Sequence, residues 1–151
     1  MIIQAGFDLE LLARPLVVQE GKVLPRLVLI GLDAEMQLDR MGVISNSFEG
    51  SLEPYHDEIF ERLHNGVIKF FAIAHGGIWA EAYCFEHQPV IMEGKRLAKA
   101  AAARGFRMIG HFGLDETGYR SAGPQSYFDQ YHRDLPPTMT HWVHSKLGKR
   151  A

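Results

Sequence analysis

The sequence predicts a single-domain α/β sandwich, a mixed β-sheet flanked by helices, and three observations predict it. Short, nearly continuous apolar runs at Leu27 to Leu32 and Val67 to Ala74, the latter interrupted by Lys69, read as strands covered on both faces. Stretches of helical spacing or propensity, Pro54 to Asn65 and Glu93 to Arg104, alternate with them. The chain has 151 residues, 46% hydrophobic and 23% charged. That is the make-up of one ordinary globular domain, able to bury roughly 70% of its unfolded-chain surface.

Each element has its own signal. Leu27 to Leu32 is rich in β-branched and aliphatic residues and lies between Pro25 and Asp33. A second strand is expected from Met41 to Phe48. In Pro54 to Asn65 the residues Tyr55, Ile59, Phe60 and Leu63 recur at helical spacing, with Asp57 and Glu58 at the positive end of the helix dipole and Asn65-Gly66 as its stop. Val67 to Ala74 then forms the central strand, halted at His75-Gly76-Gly77. Tyr83 to Phe85 is compatible with a further short strand. The alanine, leucine and lysine content of Glu93 to Arg104 predicts a helix ending at Gly105, followed by a strand from Phe106 to Leu114. Asp115 to Gly118 reads as a turn, and Tyr119 to Ser121 returns as a short antiparallel strand. Residues 122–151 form a C-terminal extension rich in proline, glycine and aromatics over Gly123 to Pro137, with His141 to Lys149 as a short amphipathic helix or a frayed end.

Composition excludes several classes. No apolar run approaches the roughly 20 residues that cross a bilayer, and the N-terminus lacks a basic-then-apolar export signal, so a cytoplasmic protein without a membrane partner is expected. Cys84 is the only cysteine, which forbids an internal disulfide, a CxxC pair and a four-cysteine zinc site. A net charge of −2 and a pI near 6.4 give no field that draws the molecule to nucleic acid. The basic stretches Lys95 to Arg107 and Lys146 to Arg150 read as a solvated helix face and a terminus. GxxxxGK[ST], GxGxxG and GxSxG are all missing, which removes support for phosphate-cradle and nucleophile-elbow chemistry.

One segment concentrates reactive groups. His75, Glu81, Cys84, Glu86 and His87 fall within thirteen residues beyond the central strand, the end at which α/β sheets bind ligands. His75, Glu81 and His87 are candidate zinc ligands, since neutral imidazole and carboxylate suit zinc and three protein ligands leave a place for a polarised water. The spacing matches neither HExxH nor HxH. Cys84 is a candidate nucleophile activated by His75 or His87, weighed against its reading as a small core residue between aromatics. His111 is expected to make a core hydrogen bond. His141 and His144 stand three apart, as an incidental surface pair would, and Tyr119, Tyr127 and Tyr131 are expected to pack.

Leu29-Ile-Gly-Leu-Asp33, Phe48-Glu-Gly-Ser51, His56-Asp-Glu-Ile-Phe60 and Phe71-Ala-Ile-Ala-His75 follow one another in an order that resembles the RadC-like branch of the JAB (JAMM/MPN) domains. Arg96 to Gly105, Met108-Ile-Gly-His111 and Gly118-Tyr-Arg-Ser121 are similar to that family's second helix and closing hairpin. The resemblance covers residues 27–121 and implies a JAB/deaminase-like fold. The family's metal site uses an upstream glutamate, an HxHP pair and a later serine and aspartate. Here His75 matches the first histidine, while Gly77 stands at the second and Ile78 at the proline. Ile44-Ser-Asn-Ser47 occupies the glutamate region, and Gly110 stands where the family often has aspartate before its histidine.

The resemblance thus implies a RadC-like domain without the complete metal-ligand set: a non-catalytic binding or assembly module with no cofactor, tied to DNA processing through the family's repair label. The first alternative is a metal-dependent, peptidase-like hydrolase with zinc in a rearranged site around His75, held with Glu81 and His87 and with Cys84 close by. The second is a dimeric structural protein whose aromatics between Tyr119 and Trp142 bury in a homodimer or protein partner.

Overall fold

The computed structural model of the chain describes residues 3, 6–76, 88–116 and 119–121. In chain order these carry α1 (Gly6–Val17), β1 (Val18–Gln19), β2 (Lys22–Val23), β3 (Leu27–Leu32) and β4 (Leu38–Ser45). A 3-10 turn at Glu53–Tyr55 then runs into α2 (His56–Leu63), followed by β5 (Phe70–His75), α3 (Gln88–Ala103), β6 (Arg107–Leu114) and β7 (Tyr119–Ser121).

Short-range polar contacts set where the strands begin. Asp33 Oδ1 accepts from the backbone N–H of both Glu35 and Gln37, at 2.9 Å each, folding the chain back at once. The return strand β4 therefore starts at Leu38, three residues before the Met41 expected from hydrophobicity. Asn65 Oδ1 likewise accepts from Val67 and Ile68. With those N–H groups occupied the apolar run, strand-like in sequence from Val67, first bonds to its neighbours at Lys69, whose N–H donates to Leu32 at 2.8 Å, and the strand proper begins at Phe70.

Among the described residues the main sheet has five strands in the order β4-β3-β5-β6-β7. β3 is antiparallel to both β4 and β5, β5 is parallel to β6, and β6 is antiparallel to β7. The protein is thus α/β with a mixed, open sheet and helices against it, as its alternating elements predict, and the expected closing hairpin is present. The parallel β5–β6 pair requires a crossover, and α3 supplies it. Every residue of β3 and β5 is buried, as is β6 beyond Arg107. Continuous apolar runs in parallel or doubly covered strands look like this.

Alternation along β5 and β6 gives the sheet two chemically different faces. A Cβ placed on Gly110 would lie 3.4 Å from Ala72 Cβ and 3.6 Å from Leu9 Cδ1 of α1. The small residues therefore form the floor against which α1 packs, and α1 meets it with Leu9, Ala13 and Val17, all buried and four apart. The opposite face carries His75 and His111. It is covered by the segment from Phe48 through α2, with α3 alongside: Arg104 at the end of α3 lies 4.2 Å over the ring of Phe60. The sequence gives no clear signal for α1, whose twelve residues include Pro15. Among the described residues no helix is long and apolar enough to cross a membrane.

Candidate functional site

β5 ends at His75, and β6 carries His111. The parallel register sets Ile73 opposite His111 and His75 opposite Gly113. Ile73 and His75 point to one face, and His111 shares it as the partner of Ile73. Since Gly113 has no side chain, the position beside His75 is open on that strand, and the two imidazoles meet diagonally. Their Nε2 atoms are 3.0 Å apart, with ring centroids at 5.1 Å and planes at 64°. Both residues belong to the core, His75 at 0% and His111 at 2% exposure.

Phe48 closes the pair from the other side. Its ring centroid is 5.0 Å from that of His75, and its backbone N–H donates to Pro25 at 2.8 Å, which fixes it. Behind Phe48 lies Tyr55, with ring centroids 6.2 Å apart. Ser45 Oγ donates to the Tyr55 hydroxyl at 3.1 Å and accepts from Ser47 N–H at 3.1 Å. A second tether anchors the loop that bears Phe48. Glu93 Oε1 on α3 accepts from Ser51 Oγ at 3.0 Å, Leu52 N–H at 2.9 Å and Glu53 N–H at 3.1 Å.

The electrostatics follow from burial. Desolvation of the charged form pulls His75 from 6.5 down to about 4. His111 lies well below its ordinary value, mainly through the same burial and secondly because a charge on His75 would repel its own. Both rings are therefore neutral near pH 7. One Nε2–H donates and the other Nε2 accepts through its lone pair, so a single proton holds the contact. His111 Nδ1 is buried and has no hydrogen-bond partner among the described residues.

A pH dependence follows, with a definite sign. Well above pH 6.5 neither the folded nor the unfolded state protonates these rings, and the pair costs nothing in charge. Below it the unfolded chain binds protons that the folded chain refuses, so stability falls as pH drops from about 6.5 towards about 4. His75 alone contributes a loss on the order of 3 kcal/mol over that window. Urea denaturation across it should show the decline, and the double variant His75→Leu/His111→Leu should show a markedly shallower one. Equal slopes would refute the assignment.

The expected core hydrogen bond of His111 is present, and its partner is His75. His75 itself is an interior residue at the strand end, and its Nε2 bonds to a second imidazole. Glu81, Cys84 and His87 lie outside the described residues, as do Gly77, Ile78, Glu86, the expected strand at Tyr83 to Phe85, and Tyr127, Tyr131, His141 and His144. Among the described residues no group of three or more His, Cys, Asp or Glu side chains is placed to hold a metal ion. Lys95, Lys99 and Arg104 are exposed on and after α3, in keeping with a solvated helix face. Sequence reasoning missed the His75–His111 pairing, Phe48 and Glu93. The pairing had a usable signal, because two strands joined through one helix become parallel neighbours, and both carry a histidine late in the strand. Comparison with known proteins finds no family model that matches this chain and no curated protein similar to it.

Proposed function

We propose that this chain is a RadC-like, JAB/deaminase-like domain acting as a binding or assembly module and not as a metal-dependent hydrolase. The run from β3 to β7, strand, strand, helix, strand, helix, hairpin, supports the scaffold, since it is the order that the resemblance implies.

The state of His75 carries the non-catalytic half of the reading. The residue standing at the first histidine of the family's motif is buried against Phe48 and spends its Nε2 on His111, a residue outside the family's ligand set. A metal-binding histidine usually donates its other ring N–H to an oriented acceptor. His111 Nδ1 has none among the described residues.

A second reading has one observation in its favour. Two Nε2 atoms 3.0 Å apart converge on a point from which both could reach one zinc ion at about 2.0–2.1 Å. In that case zinc replaces the shared proton, and the rearranged hydrolase site around His75 with Glu81, His87 and Cys84 becomes the better account. Elemental analysis of untagged protein, after zinc supplementation and dialysis, separates the two. The binding-module reading expects no stoichiometric metal. One zinc per chain, lost in the folded His75→Leu/His111→Leu variant, would overturn it in favour of the hydrolase.

A further inference from the structure

A second cluster of polar groups lies outside the histidine pair. Glu53 at the start of the 3-10 turn, His56 at the start of α2, and Glu93 and Arg96 on α3 line a cleft of about 320 Å³. That is the small end of the range for ligand pockets, roughly 300–1,000 Å³. Its charged groups do not neutralise one another. Glu93 and Arg96 are a turn apart on α3, yet Oε1 of Glu93 is taken up by the Ser51, Leu52 and Glu53 donors and makes no ion pair with Arg96. Among the described residues neither Glu53 nor Arg96 has an ion-pair partner, and Oε2 of Glu93 has no hydrogen bond. His56 Nε2, in the wall, is shut off from solvent and likewise lacks a partner among the described residues. The three bonds at Oε1 hold the Glu93 carboxylate in place before any ligand arrives, which lowers the ordering cost of binding.

A simple anion would face two carboxylates here, and a simple cation would face the Arg96 guanidinium. A molecule carrying both charges satisfies both. We propose that this cleft binds a small zwitterion of the free amino-acid class, its carboxylate on Arg96 and its ammonium between Glu53 and Glu93 Oε2. The pocket size limits the side chain to a small or medium one. This site is separate from the His75–His111 pair and does not depend on whether that pair holds a metal.

The test is a titration of the untagged full chain with the twenty free amino acids, followed by isothermal calorimetry or by backbone amide shifts. A subset should bind saturably at up to millimolar concentrations. Arg96→Gln and Glu53→Gln, both at exposed positions, should each weaken binding about tenfold or more without lowering the melting temperature. The N-acetyl and the amide forms of the best binder, each lacking one charge, should weaken it to a similar degree. Absence of binding by all twenty overturns the proposal. So does binding that survives both substitutions, or an acetylated form that binds as well as the free amino acid.

Discussion

His75→Ala should lower stability by about 3–5 kcal/mol, with a melting temperature lower by roughly 6–20 °C for a chain of this size. Two losses add. The truncation leaves a cavity next to Phe48, whose ring packs 5.0 Å from that of His75. It also removes the only hydrogen-bond partner of His111 Nε2 among the described residues, so that ring keeps polar nitrogens in a site of 2% exposure, each unsatisfied group costing about 1–3 kcal/mol. The double variant His75→Leu/His111→Leu separates these terms. Replacing both partners by apolar side chains of similar bulk leaves no orphan, so it should be more stable than His75→Ala and less destabilised than the sum of His75→Leu and His111→Leu. Urea denaturation of the four proteins gives the coupling, expected at about 0.5–3 kcal/mol. A His75→Ala cost below about 1 kcal/mol, or additive leucine substitutions, would show that the contact does not hold the core.

Gly76→Ala is the second large effect. A Cβ at Gly76 would stand 2.6 Å from the Leu24 carbonyl oxygen, 2.6 Å from Val17 Cγ1 and 2.7 Å from Val23 Cγ1. The valine side chains can turn aside, but the Leu24 oxygen is backbone. Leu24 is tied through its own N–H to Val17 at 2.7 Å, and Gly76 N–H donates to Arg26 at 3.2 Å. The β1–β2 ribbon must therefore lift from the end of β5, at a cost of about 1–3 kcal/mol or more. Calorimetry should show a melting temperature lower by roughly 2–12 °C. Hydrogen exchange should place the loss of protection in residues 17–26 first. An unchanged melting temperature would show that the ribbon yields freely.

Hydrophobic period and propensity sufficed to identify β3, α2, β5, α3 and β6, because those elements owe their form to burial over several residues, while β7 was legible from the turn at Asp115 to Gly118. The residues that moved the boundaries were polar: Asp33 and Asn65 each use one side-chain oxygen to claim two backbone N–H groups. Such contacts leave almost no trace in a hydrophobicity pattern. α1 escaped notice for a different reason. Its apolar face, Leu9, Ala13 and Val17 with Leu12 and Leu16 packed beside them, has helical spacing, but Pro15 lies inside it and reads locally as a breaker.

The candidate site was legible only in part. His75 stood out because it ends an apolar strand. Its partner lies 36 positions away, and only the crossover through α3 makes the two neighbours. Glu93 carried no signal at all, being one glutamate within an unremarkable helix that begins at Gln88, five residues before the expected start, yet its carboxylate secures the loop from Ser51 to Glu53.

The sheet order also constrains how the chain assembles. β3 and β4 are joined through residues 33–37, and their hairpin closes at little entropic cost. β5 must then find β3, and β6 reaches β5 only after α3 has travelled the length of the sheet. The imidazole contact joins residues 36 positions apart, so it forms only once a long loop has closed, and it ties the two central strands together across that loop.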